Sequence, residues 1–271
     1  MKYTTHKKLA LAGWLLAGCF AQALAGQEVP VGRVDVKLPN DGWQVHAIED
    51  KGNSISGDGH THQQDAEYKI LVHRGADDLL DAVLMVRANS SGKGRFTGLM
   101  FSNAQCQGGN GLYAEGDEPG PSARSFRCLR VALPYATTGS KAVPVEVQDA
   151  LSKLGWRLPP TLFAVSAVQY ATSGAFAVVV AYMRPLAGAP ADSNAQSVPG
   201  NLPVGVTASS VQWGRQLQQA VTDSVYSIGG KLTVPAMVFA DDASGRPDLP
   251  ARTQPATTPA RTPVPESADR G

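Results

Sequence analysis

The longest apolar stretch of the chain lies at residues 161–183, with the sequence TLFAVSAVQYATSGAFAVVVAYM. Residues 163–172 and 175–184 are rich in Val, Ala, Phe and Tyr, a composition typical of strands. Ser173 and Gly174 between them suit a two-residue hairpin turn, because glycine supplies the positive φ that such a turn needs. The pattern therefore predicts a β-hairpin over this stretch.

A two-residue turn would fix the register of the hairpin, setting Val168 opposite Val179 and Ala167 opposite Val180. Apolar residues then occupy both faces, which is typical of a central strand pair covered on both sides. A membrane helix is the alternative, but the longest unbroken apolar run, residues 175–183, is far short of the roughly 20 residues that a spanning helix needs. We therefore expect the hairpin to lie at the centre of the sheet of a soluble domain.

Shorter apolar or alternating runs predict the remaining strands. Residues 26–32 read as a short lead-in, and the strands predicted at 34–38 and 43–48 flank a Pro-Asn-Asp-Gly turn signal and suit a hairpin. Polar, glycine-rich segments at 49–65 and 107–125 are predicted to be exposed loops. The other predicted strands are 66–73, 79–89, 96–106, 126–133 and 231–239.

Two segments carry the punctuation of helices. Residues 144–154 have Pro in the first turn and are followed by Gly. Residues 209–226 form the strongest amphipathic pattern, with Ser209 or Ser210 as the predicted N-cap. The predicted core face of this helix is Val211, Leu217, Val221 and Val225, and its predicted solvent face is Arg215, Gln218, Gln219 and Thr222.

The order of these elements indicates the fold class. Strands interrupted by two helices favour an α+β fold with a mainly antiparallel sheet, a central hairpin at about 163–184 and both helices packed on the sheet. We expect residues 27–240 to form one domain. Residues 241–271 are rich in Pro, Thr and Ala and have no aromatic side chain, so we expect a disordered tail.

The first 25 residues have the pattern of a secretory signal peptide. Lys7 and Lys8 precede an apolar run at 9–20, and an Ala-x-Ala sequence ends at Ala25. This pattern predicts export across a bacterial inner membrane and cleavage after Ala25. The product would be periplasmic or secreted.

The same leader contains Leu-Ala-Gly-Cys ending at Cys19, which resembles the lipobox of bacterial lipoproteins. The resemblance implies a lipidated Cys19 and a protein anchored to a bacterial membrane. The residues after Cys19 are apolar, unlike the polar tether usual in lipoproteins, and so favour cleavage after Ala25. Both alternatives imply export.

Beyond the leader only Cys106 and Cys128 remain, an even number in a chain predicted to reach an oxidising compartment. Each lies in or beside a strand-like run, and the segment between them contains Gly and Pro that can reverse the chain. We therefore predict a disulfide bond between them. Two separate buried thiols are the alternative.

Composition narrows the function classes. The chain has 271 residues, of which 43% are hydrophobic and 17% charged, with a formal net charge of +1. Removing a leader with three lysines and no acidic residue takes this charge to about −2. No basic surface is predicted, so nucleic-acid binding has no compositional support.

His60 and His62 are the clearest candidate metal ligands. Alternate residues of an extended chain point the same way, so the two imidazoles could share an ion, with Asp58 and Asp65 nearby. A closed site needs a third or fourth ligand held in place, and this segment is glycine-rich. A solvated polar loop is the alternative.

No motif predicts a catalytic residue or a cofactor. The chain has neither the Gly-x-Ser-x-Gly elbow of hydrolases nor a phosphate-binding loop. Two functions remain as hypotheses. The first is a non-enzymatic binding or accessory protein of the envelope that contacts another envelope protein through a sheet edge or its loops. The second is an envelope hydrolase, metal-dependent through His60 and His62.

Overall fold

The structure is a computed structural model that describes residues 27–40, 42–48, 54–56, 61–63, 66–75, 79–90, 106–109, 111–117, 125–136, 143–171, 173–186 and 201–239. Within these residues the chain forms two helices and three sheets. The helices are α1 (Val145–Lys153) and α2 (Ala208–Tyr226), and the strands are β1 (Glu28–Val31), β2 (Val34–Lys37), β3 (Trp43–Ile48), β4 (Ser54–Ser56), β5 (Thr61–Gln63), β6 (Ala66–Arg74), β7 (Leu80–Asn89), β8 (Leu112–Gly116), β9 (Phe126–Ala136), β10 (Thr161–Tyr170), β11 (Phe176–Met183) and β12 (Lys231–Thr233).

The main sheet has seven strands in the order β3-β6-β7-β11-β10-β9-β8, and every neighbouring pair is antiparallel. β10 and β11 occupy its centre, as the apolar pattern predicts. A smaller sheet has the order β1-β2-β12, with β12 parallel to β2, and β4 pairs with β5. The predicted α+β class is confirmed.

The predicted register of the central hairpin is wrong by one residue. Val168 lies opposite Val178, and not opposite Val179, because the turn is longer than two residues. The Ala171 N–H donates to the Ala175 carbonyl oxygen (2.8 Å), so residues 171–175 form the connection. Glycine at position 174 does adopt the expected positive φ, at 82°.

Helix α2 and the small sheet cover one face of the main sheet. The helix lies so close that a Cβ at Gly214 would come within 2.9 Å of Leu129 Cδ1 and 3.2 Å of Val165 Cγ1. Glycine is the residue that permits this approach. The buried residues of this layer include Val36, Leu84, Val86, Val131, Ala167, Val179, Trp213, Leu217, Val221 and Leu232.

The opposite face of the main sheet is covered less completely. Helix α1 packs Val147 and Leu151 against Ile70, Val83 and Leu162. Further along the central strands, the side chains at positions 168, 178 and 180 are only half-buried. The expectation that both faces of the hairpin are covered along their length therefore holds for one face.

The predicted hairpin of strands 34–38 and 43–48 is wrong. β2 pairs with β1 and β12, whereas β3 pairs with β6. The segment read as a lead-in contains β1, which turns into β2 at Gly32 with a φ of 55°. Burial explains the choice: Val29 and Val31 of β1 and Val34 and Val36 of β2 alternate into the core.

Two segments predicted to be loops contain strands. β4 and β5 lie within 49–65, and β8 lies within 107–125. All three are short, and their pairing partners, not their own composition, make them strands. The strand predicted at 96–106 lies, apart from its last residue, outside the described residues. The predicted final strand is shorter than expected, because β12 ends at Thr233, two residues before Pro235.

The two predicted helices are present within one or two residues of their predicted ends. The N-cap of α2 is Thr207, and not Ser209 or Ser210. Thr207 Oγ1 accepts from the Ser210 N–H (3.2 Å), and Ser210 Oγ accepts from the Thr207 N–H (3.1 Å). In the part of the chain that the structure describes, no helix is long and apolar enough to cross a membrane.

Candidate functional site

The two edge strands of the main sheet, β3 and β8, differ in how much of their backbone another part of the chain occupies. Edge strands present unpaired N–H and C=O groups, and proteins protect them with charges, short lengths or covering segments.

The edge at β8 is short and protected. The Leu112 N–H donates to the Gly109 carbonyl oxygen, and the Gly109 N–H donates to that of Leu112, each at 3.0 Å. The strand carries Glu115 and is followed by Asp117, which contacts Arg127 at 3.5 Å. Charge and the preceding turn therefore both oppose the addition of a strand here.

A disulfide bond fixes the segment beside β8. Cys106 and Cys128 are joined, with 5.5 Å between their Cα atoms, as the cysteine count predicts. Gly116 makes this close packing possible, since a Cβ there would come within 2.2 Å of the Arg127 carbonyl oxygen and 2.9 Å of Cys106 Sγ. The disulfide thus attaches the residues next to the β8 edge to β9.

Glu115 also joins β8 to α2. Arg215 Nε donates to Glu115 Oε2 (2.9 Å), Arg215 Nη2 donates to the Tyr113 hydroxyl (3.2 Å), and that hydroxyl donates to Glu115. Burial alone would raise the pKa of Glu115, but the hydrogen bonds from Tyr113 and Arg215 and the charges of Arg215 and Arg127 hold the pKa below its ordinary value. Burial and the hydrogen bond to Glu115 raise the pKa of Tyr113, so the phenol stays a donor.

The lowered pKa gives a pH-dependent contribution to stability. It is present above the unfolded-state pKa of about 4.3 and is lost as the pH falls through the lower folded-state pKa. Because the group is partly exposed, we expect Glu115→Gln to lower the free energy of unfolding by less than about 1 kcal/mol at pH 7 and to have little effect near pH 3. Urea denaturation at both pH values measures this, with the exposed Glu28→Gln as control. An equal effect at both pH values would contradict it.

The opposite edge, β3, has the sequence WQVHAI, with no Lys, Arg, Asp, Glu or Pro. It pairs with β6 on one side, and among the described residues no strand pairs with its other side. Gln44 and Ala47 are exposed, and Val45 is 41% exposed. Every second residue of such a strand directs its N–H and C=O outward. In the part of the chain that the structure describes, β3 is therefore an open, uncharged edge.

Trp43 anchors the start of β3. Its indole is 5% exposed, donates from Nε1 to Asn40 Oδ1 (2.7 Å) and lies 5.2 Å from the His73 ring, centroid to centroid. His73 in turn stacks on Phe239 at 6.3 Å. The first residue of the edge is thus held by packing, which limits the freedom of the residues that follow.

A cluster of buried charges lies beside this anchor, around Asp81. A register shift between β6 and β7 leaves Asp81 without an opposite residue, and such a bulge re-aims the side chain. Its carboxylate lies 3.5 Å from His73 Nδ1 and 3.3 Å from Arg184 Nε, and the Arg184 N–H donates to the Asp81 carbonyl oxygen (2.9 Å). A Cβ at Gly75 would lie 2.5 Å from Asp81 Oδ1, so the backbone closes that side of the carboxylate. The cluster is a structural ion pair.

A small recess of about 20 Å³ lies next to Arg184, at the start of α2. Its polar groups are in use, because Arg184 faces Asp81 and the Ser210 and Val211 amides donate to Thr207. We therefore assign it no ligand. Its walls include Phe163, Met183, Arg184, Leu186, Thr207 and Ser210.

The predicted metal site cannot be placed. His60 and Cys19 lie outside the described residues, and for His62 the structure gives only its backbone, in β5 opposite Ile55. Within the described residues, no group of three or more His, Cys, Asp and Glu side chains could hold a metal ion. The predicted metal ligands and lipidation site remain predictions.

Two features of the structure were not identified from the sequence. The polar spacing of α2 predicts Gln218 on its solvent face, but the side chain is buried. Gln218 Oε1 accepts from the Val168 N–H (3.3 Å), and Gln218 Nε2 donates to the Val168 carbonyl oxygen (3.1 Å). The open edge at β3 was also not identified. The sequence feature that indicates this edge is a predicted strand without charged residues or proline.

Comparison with known proteins finds no matching family model, no similar curated protein and no similar solved structure.

Proposed function

We propose that this chain is an exported, non-enzymatic binding component of the bacterial envelope, and that β3 is the edge through which it takes up an extended segment of another polypeptide. The observation that carries the proposal is the open edge: six residues without charge or proline, paired on one side in the described structure. A strand of this kind is the receptor in binding by strand addition, where the main chain supplies the hydrogen bonds.

The side chains of β3 favour a partner strand in which apolar and polar residues alternate. Val45 and Ala47 lie on the same face of the sheet as Trp43, next to the apolar layer under the small sheet. Gln44 and His46 lie on the opposite face. A strand added beside β3 with apolar residues on the first face and polar residues on the second would match both.

The disulfide bond supports export. Such bonds persist in oxidising compartments such as the periplasm and are rare in the bacterial cytosol. Together with the signal-peptide pattern of the leader, the Cys106–Cys128 bond favours a periplasmic or secreted protein, or one anchored through Cys19. Mass spectrometry of the mature N-terminus distinguishes these, since a free protein begins at Gly26 and an anchored one at a diacylated Cys19. An uncleaved leader would contradict export.

The binding role is tested by photo-crosslinking in cells. Val45 is replaced by a photoreactive phenylalanine analogue in the full chain, and Val238, which is 51% exposed and outside β3, receives the same analogue as control. We expect a discrete protein adduct in the envelope fraction from position 45 and none from position 238. The absence of an adduct specific to position 45 would contradict the role of β3.

A further inference from the structure

We infer that the strand that fits β3 is β3 of a second copy of this chain, so that two main sheets join edge to edge in a symmetric dimer. The inference rests on the proposed function and names its partner. It comes from the self-complementarity of the β3 sequence.

Symmetry fixes how two copies of an edge strand can pair. A two-fold axis normal to the sheet makes the two strands antiparallel and keeps each face on its own side. Successive side chains of a strand alternate between the two faces of the sheet. Apolar residues of the two copies therefore meet only if odd-numbered residues lie opposite odd-numbered ones and even-numbered residues opposite even-numbered ones. β3 has six residues, so two registers of this kind are central, one with the axis at Val45 and one with the axis at His46. We choose the axis at Val45, because the other would set His46 opposite His46 and leave Trp43 outside the paired residues.

In this register the side chains complement each other in size and polarity. Val45 faces Val45 of the second copy, and the large Trp43 faces the small Ala47. On the polar face Gln44 faces His46, and an amide and an imidazole can share a hydrogen bond. No like charges meet, because β3 carries no acidic residue, lysine or arginine.

The exposure of these residues agrees with a contact that forms between folded monomers. Val45 is 41% exposed, and Gln44 and Ala47 are exposed, so they can meet a partner without unfolding. Trp43 is held by Asn40 and His73 and needs no rearrangement. Two short strands bury a small area, so we expect a weak dimer that dissociates on dilution.

Cysteine crosslinking tests the register. Opposite residues of antiparallel strands have Cα atoms about 4.5–5.5 Å apart, within the range that a disulfide spans. We expect exported Val45→Cys protein to form a covalent dimer under mild oxidation. The yield should be several-fold higher than for Gln44→Cys, because the two copies of residue 44 lie diagonally across the interface and not opposite each other. Val238→Cys, of similar exposure, measures random collision, and the unsubstituted protein measures background from any other thiol.

A charge exchange at the same position tests the dimer without a covalent bond. Val45→Lys and Val45→Glu should each sediment as a monomer, because two like charges would face each other across the axis. Mixing the two variants should restore a dimer. Thermal unfolding checks that each variant is folded, which the partial exposure of Val45 favours.

The possible results separate the two proposals. Covalent dimers from Val45→Cys above all three controls, with recovery of the dimer in the mixture, support the self-paired edge. If Val45→Cys gives no more dimer than Val238→Cys, the inference is overturned. A photo-adduct of position 45 with a protein of another mass would then still support the proposed function, whereas no adduct at all would contradict both.

Discussion

Replacement of Asp81 by Asn is expected to lower the free energy of unfolding by about 1–3 kcal/mol, because it removes the negative partner of a largely buried ion pair. The side chains of Asp81 and Arg184 are each only 12% exposed, and the carboxylate also lies 3.5 Å from His73. Asn has nearly the same shape, so packing is retained while the charge is lost. Equilibrium denaturation in urea at pH 7 measures the effect.

The exposed Asp35 of β2 provides the matched control for this experiment. Asp35→Asn makes the same chemical change on a strand surface, where we expect an effect within about 0.5 kcal/mol. Similar small effects for both variants would show that the Asp81 pair contributes little, and the structural role assigned to the cluster would be wrong.

Replacement of Gln218 by Leu is expected to lower the free energy of unfolding by about 1–3 kcal/mol. The Gln218 amide bonds the N–H and the carbonyl oxygen of Val168 inside the layer between α2 and the sheet. Val168 also lies opposite Val178 and Cys128 in the sheet, so leucine removes two additional hydrogen bonds, at a cost of about 0.5–1.5 kcal/mol each. Thermal or urea unfolding of the purified protein detects this loss.

Gln219 is the natural control, since it follows Gln218 in the same helix and has the same helix propensity. Gln219 is exposed. Among the residues that the structure describes, its side chain hydrogen-bonds only to Asp223 on the helix surface (2.8 Å). We expect Gln219→Leu to change stability by less than about 0.5 kcal/mol. Equal losses for the two variants would rule out a specific role for the Gln218 amide.

Local patterns predicted those parts of the fold that depend on local chemistry. The apolar stretch at 161–183 predicted the central strand pair, because a strand buried on both faces needs apolar residues whatever its exact boundaries are. Helix α2 was predicted because its apolar spacing and its flanking residues agree. The disulfide was predicted because two cysteines remain in a chain whose leader predicts export.

The parts that depend on distant partners were not predicted. The register of the central hairpin depends on the length of its turn, and the connection at 171–175 is longer than its Ser-Gly pair suggests. β8 is a strand because β9 lies beside it. Gln218 follows the polar spacing of α2, but β10 lies so close that the Gln218 side chain is buried and hydrogen-bonds to the Val168 backbone.

The candidate site illustrates the same limit. The sequence of β3 predicts a strand, but whether a strand is central or at an edge is decided by the order of the whole sheet. Pairing with β6, and not with β2, places β3 at the edge. Its lack of charge becomes informative only once that position is known.

Amide hydrogen exchange shows whether β3 is an open edge. In folded Val45→Lys protein, where self-pairing is blocked, we expect every second amide of β3 to exchange nearly unprotected while the amides of β10 remain protected. In concentrated unsubstituted protein those outward β3 amides should become protected. If all β3 amides are already protected in the Val45→Lys monomer, another segment of the same chain occupies the edge and the account is contradicted.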